Sequence, residues 1–163
     1  MRKLRLLLTK DCDRNCKGCC NKDWDLDNLP QVKDYSIYDE IYITGGEPML
    51  YPKAILFKFL EIREVSTAKI YLYTANITNL FQTLYILTYL DGITLTLHEQ
   101  KDVKDFYALE LILRLIEMKN KSLRLNVFKG IEVEEISSRW KVKKDIEWIK
   151  NCPLPKDEEL MRI

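Results

Sequence analysis

Short apolar runs alternate along this chain with longer amphipathic repeats, and the alternation predicts its elements. Residues 4–8 are apolar apart from Arg5 and lead into the β-branched Thr9, which reads as a first strand over 4–9. Residues 40–44, Lys69–Thr74, 93–98 and 123–128 read as four more strands. Between them, Pro52–Val65 carries apolar residues at 55, 56, 59, 60 and 62 behind a leading proline, the pattern of an amphipathic helix. Positions 80, 81, 84, 87 and 90 predict a second helix, closed by Asp91 and Gly92. Positions 106, 109, 112, 113 and 116 give the clearest one, over 103–119. Weaker patterns predict short helices at 30–35 and 131–140 and a sixth strand at 142–149.

Strands that alternate with crossover helices imply a parallel sheet with right-handed connections. With no repeat and no linker, the expectation is an α/β fold over residues 1–163. It is a single-domain partial (β/α) barrel with five or six mostly parallel strands and outer helices, an open doubly wound sheet being the alternative. The later strands add a detail. Ile93, Leu95 and Leu97 alternate with Thr94, Thr96 and His98, and Leu123, Leu125 and Val127 alternate with Arg124, Asn126 and Phe128. A parallel strand covered on both faces is almost continuously apolar. These two strands are therefore expected to turn one face toward helices and the other toward a polar cavity.

Composition excludes more than it selects. The 26 basic and 25 acidic residues nearly cancel, so no general attraction to nucleic acid or anionic membrane is expected. No stretch approaches the roughly 20 apolar residues of a membrane span. Five cysteines, three of them in the eight residues 12–19, do not form the pattern of a secreted disulfide framework, which makes a reducing cytoplasm the expected location.

The cluster itself, Cys12-Asp-Arg-Asn-Cys16-Lys-Gly-Cys19, follows the first strand in a CxxxCxxC spacing, within a polar stretch read as a loop. Three thiolates within reach of one inorganic centre leave a fourth position open, as a reactive four-iron cluster requires. The alternative is a zinc site, which wants four protein ligands and would need Cys20, Cys152 or His98 to close it. Gly45-Gly46-Glu47-Pro48 ends the second strand. Its glycines either turn the chain or let backbone approach a ligand. Thr74, Asn76, His98 and Asn126 fall at or near the C-terminal ends of later strands, where ligands gather in both candidate folds.

CxxxCxxC after the first strand, followed by GGEP after the second, resembles the radical S-adenosylmethionine (SAM) superfamily, by motif over residues 4–50 and by element order over the whole chain. The resemblance implies that Cys12, Cys16 and Cys19 hold a [4Fe-4S] cluster whose open iron chelates S-adenosyl-L-methionine. It also implies that Gly45, Gly46 and Glu47 receive the methionine amino group, and that Thr74, Asn76, His98 and Asn126 are further cofactor contacts. One-electron reduction, from a donor such as flavodoxin or ferredoxin, would cleave the sulfonium and yield a 5′-deoxyadenosyl radical that abstracts a substrate hydrogen. Gly18 departs from the superfamily, where an aromatic residue often stands before the third cysteine and packs near the adenine. The stretch Cys16-Lys-Gly-Cys-Cys-Asn-Lys-Asp-Trp24 is similar instead to the small activating enzymes of anaerobic ribonucleotide reductase. That likeness implies a glycyl radical protein as substrate. Radical modification of a nucleotide, peptide or small metabolite is the alternative, and a zinc- or cluster-binding scaffold the non-enzymatic one. Cys20 and Cys152 are expected to be small buried apolar residues rather than ligands.

Overall fold

The computed structural model describes residues 1–116, 118 and 120–163. Its strands are β1 (Lys3–Thr9), β2 (Glu40–Gly45), β3 (Lys69–Thr74), β4 (Gly92–Leu97), β5 (Ser122–Phe128), β6 (Trp140–Ile146) and β7 (Glu158–Arg162). Every pairing is parallel, in the order β6-β5-β4-β3-β2-β1-β7, and the sheet does not close. Helices α1 (Pro52–Val65), α2 (Leu80–Tyr89) and α3 (Asp102–Leu115) make the crossovers from β2 to β5. The fold is α/β with helices flanking an open parallel sheet, as a partial β/α barrel has. Among the described residues no helix is long and apolar enough to cross a membrane.

Strand parity places the core. Leu4, Leu6, Ile41, Ile43, Ile70, Leu72, Ile93, Leu95, Leu123 and Leu125 form one cluster with Ile55 and Ile62 of α1, Leu84 and Leu87 of α2, and Phe106, Leu109 and Leu113 of α3. Each such side chain contributes about 1.5–3 kcal/mol by leaving water. Alternate residues look the other way, onto a concave face that none of α1, α2 and α3 covers among the described residues. Hydrogen bonds there skip strands: Arg124 Nη1 of β5 donates to the Tyr42 hydroxyl of β2 at 2.8 Å, and Asn126 Nδ2 donates to the Tyr73 hydroxyl of β3 at 2.7 Å. The sheet must curl for such pairs to meet.

Several expectations are corrected. No helix forms at 30–35, where Gln31 instead bridges to Arg162, and none at 131–140. That second segment is held in irregular form by Gln100, which bonds Glu132, and by Tyr107, whose hydroxyl accepts the Glu134 N–H. The sixth strand lies at Trp140–Ile146 and ends beside Asp145, whose backbone is left-handed. α3 stops at Leu115, and Lys119, the predicted end of that helix, lies outside the described residues. The seventh strand was not predicted. It pairs with β1 at the edge opposite β6, so the chain between β6 and β7 must cross from one edge of the sheet to the other. We call residues 147–157 the strap.

Candidate active site

A cavity of about 460 Å³ opens where the strands end, over the concave face and under the strap. Cys12, Cys16, Cys19, Gly45, Gly46, Glu47, Thr74, His98 and Asn126 all line it. Of the predicted site residues only Asn76 lies outside. Its side chain caps the following turn by accepting from Thr78 and donates to Asp13 of the cysteine loop. Asn76 positions that loop; it does not face the cavity.

Cys12, Cys16 and Cys19 are all free. Desolvation pushes the Cys12 and Cys16 thiols up from their ordinary value, and the charge of Cys19 adds to the rise in both. The three sulfurs are thus electrostatic neighbours. They are not already arranged about one point, since among the described residues no three His, Cys, Asp or Glu side chains converge as a metal site. The loop has no regular structure before a single 3-10 turn at Cys20–Lys22. Contacts at its margins hold it. Asn21 Nδ2 donates to the Gly45 carbonyl at 2.8 Å, and Arg14 makes a two-pronged pair with Asp102 at 2.9 Å while also donating to the Ala75 carbonyl. Burial opposes ionisation of Asp102, but Arg14 and the backbone N–H groups of His98 and Glu99 outweigh it and hold the carboxyl below its usual range. One guanidinium therefore fastens the cysteine loop to the ends of β3 and β4 and the start of α3. Sequence reading missed Arg14, since an arginine between ligand positions gives no periodic signal.

The glycine turn has a structural cause of its own. A Cβ on Gly45 would stand 2.3 Å from the Thr9 carbonyl oxygen, and one on Gly46 would stand 2.0 Å from that of Asp11. Gly45 also has a φ of +154°. Both positions are bare so that the end of β2 can lie against the start of the cysteine loop, with Gly46 N–H donating to Thr9 O and Glu47 N–H to Asp11 O. Glu47 is 2% exposed. Its carboxylate accepts from Met49 N–H at 2.9 Å, Thr74 Oγ1 at 2.5 Å and Ala75 N–H at 3.0 Å. Burial still pushes its pKa up, against those three donors. Glu47 and Thr74 thus brace β2 against β3 from within the cavity wall.

His98 and the strap form the far wall. The His98 ring stacks on Trp148 with centroids 5.1 Å apart and also touches Phe128. Its Nδ1 is buried and has no hydrogen-bond partner among the described residues. Burial, then the charge of Arg14, lowers its pKa to about 4, so the ring is neutral at physiological pH. Gly18 has a φ of +74°, and the Trp148 ring lies where its side chain would be, 2.8 Å from an added Cβ. The aromatic group that the resemblance puts in the cysteine loop is absent there, and the strap brings one to the same place. Cys20 and Cys152 do not behave as isolated apolar residues: they are joined as a disulfide between loop and strap. Trp24 Nε1 donates to the Cys152 carbonyl and Asn151 N–H to Asp23, so three links hold the strap here.

The donor chemistry is of the kind an iron–sulfur cluster would take: three free thiols on an irregular loop line the same cavity as the His98 imidazole. Comparison of the chain with protein-family models, with curated proteins and with solved structures finds no match, so the reading of this site stands on its own residues.

Proposed function

We propose that the chain is a radical SAM enzyme. One observation carries the reading: the three thiols of a CxxxCxxC loop, the GGEP turn and the polar ends of β3, β4 and β5 line a single cavity at the C-terminal rim of an open parallel sheet. Cys12, Cys16 and Cys19 are the residues to hold a [4Fe-4S] cluster, with S-adenosyl-L-methionine beside it. When bound, these groups supply reductive cleavage of the sulfonium and a 5′-deoxyadenosyl radical for hydrogen abstraction. The protein's own work is to close the loop, exclude water and shape the substrate volume. Arg14 and Asn21 fix the loop, Glu47 and Thr74 fix the turn, and Trp148 and His98 roof the cavity with aromatic surface. A one-electron donor such as flavodoxin or ferredoxin is the implied partner.

Two substrate readings follow. The likeness of residues 16–24 to the activating enzymes of anaerobic ribonucleotide reductase favours a glycyl radical protein. The cavity favours modification of a small molecule, because it continues down the concave face instead of ending at the rim.

Anaerobic reconstitution tests the chemistry. The expected result is a brown protein with about four irons per chain that yields 5′-deoxyadenosine on reduction, with both lost in Cys12→Ala, Cys16→Ala and Cys19→Ala and the cluster kept in Cys20→Ala and Cys152→Ala. Stoichiometric zinc with no nucleoside product would replace the enzyme by a metal-binding scaffold.

A further inference from the structure

Below the thiol cavity a second hollow of about 460 Å³ runs down the concave face, and it shares Arg5, Tyr73, Asn126 and Lys143 with the first. All seven strands contribute to its wall. The wall carries four cationic side chains, Arg5, Arg124, Lys141 and Lys143, against a single carboxylate, Glu158. That carboxylate is already paired, accepting from Arg5 Nε at 2.5 Å. Arg124 is fixed in place. Its guanidinium lies 4.4 Å from the centroid of the Tyr71 ring and donates to Tyr42, and its nearest carboxylate, Glu40, is 3.9 Å away with its other oxygen accepting from the Tyr42 hydroxyl. Lys141 and Lys143 stand in register with Arg124 and Asn126 on the same face, and neither has a salt bridge among the described residues.

The chain as a whole carries a net charge of only +1, so this concentration is local. Interior polar cavities with uncompensated cations concentrate anions, and a planar guanidinium flanked by lysines suits phosphoryl or carboxylate oxygens. The hollow also falls within the roughly 300–1,000 Å³ of small-molecule clefts.

We propose that the hollow is the substrate subsite for the anionic group, phosphoryl or carboxylate, of a small molecule. This rests on the enzymatic reading above and names its substrate class. The anion sits by Arg124, Lys141 and Lys143 at the floor, and the remainder of the molecule extends past Asn126 and Tyr73 toward the thiol cavity, where hydrogen is abstracted.

The test is calorimetric titration of the purified full chain with sodium pyrophosphate, adenosine 5′-monophosphate, succinate and adenosine. Binding of the phosphoryl pair or of succinate identifies the anion, and adenosine is expected to bind at least about tenfold more weakly than its monophosphate. The exposed double variant Lys141→Gln/Lys143→Gln weakens anion binding by about tenfold or more, while Lys53→Gln on α1 leaves it unchanged. Arg124→Gln is a second probe, used only if its circular dichroism matches the parent. Failure of all three anions to bind, or equal binding by parent and double variant, overturns the subsite. Formation of 5′-deoxyadenosine, measured separately, keeps the two readings apart. Nucleoside without anion binding removes only the subsite; anion binding without nucleoside removes only the radical chemistry.

Discussion

On its helix side the sheet presents Ile43, Leu95 and Leu125, each fully buried, while one residue further along the same strands its concave side presents Thr44, Thr96 and Asn126. The first set belongs to an apolar cluster of aliphatic and aromatic side chains. The second meets hydroxyls, guanidinium groups and open cavity. A single backbone ladder thus serves two purposes, because alternate side chains of a strand point to opposite faces. Apolar packing is concentrated on one face and polar side chains on the other, and substitutions should separate what each contributes.

Leu95→Ala should have the largest effect on folding, about 2–5 kcal/mol, because a fully buried side chain leaves a cavity among α-helical neighbours. Urea denaturation measures it, and a cost below 1 kcal/mol would mean the helix side is loosely packed. His98 gives the next effect, through pH. Its folded pKa of about 4 lies below the ordinary 6.5, so the unfolded chain takes up the proton first. Stability is then complete above about pH 6.5 and declines by about 3 kcal/mol as pH falls toward 4. Thermal melts across that range should show the decline in the parent and a flatter profile in His98→Phe; identical profiles would mean the ring is not buried neutral. Glu47→Gln sets an amide N–H₂ against one of the donors that now point at the carboxylate, a cost of about 1–3 kcal/mol. Its melting temperature relative to the parent decides whether the brace between β2 and β3 matters. Lys143→Gln, exposed on the concave side, should change stability by less than about 0.5 kcal/mol. A larger loss would show that the concave face also carries structural weight.

Much of the helix side was legible in the sequence, because burial imposes a period. Pro52–Val65 and Lys69–Thr74 match prediction at both ends, and the alternation in β4 and β5 foretold which residues would face a cavity. What escaped notice obeys no period. β7 reads Glu-Glu-Leu-Met-Arg, and as an edge strand it is held by its backbone ladder and by ion pairs such as Arg5–Glu158 and Arg2–Glu159. Without β7 on the far edge, nothing signalled that the strap would cross the site, so Trp148 and the Cys20–Cys152 link were hidden as well. Arg14 was hidden for a related reason: its partner Asp102 is brought near only by tertiary folding.

The bond from Arg124 to Tyr42 joins two strands with two others between them. Neighbouring strands lie about 4.8 Å apart, so the pair acts as a tie rod beneath a span of three strand spacings, and the sheet above it is a tied arch. An arch without its tie spreads under load. Tyr42→Phe should therefore loosen β5 relative to β2, leaving the curl of the sheet to its backbone ladder and to the contact of Arg124 with Tyr71, and amide hydrogen exchange along β5 and β6 would register the slackening.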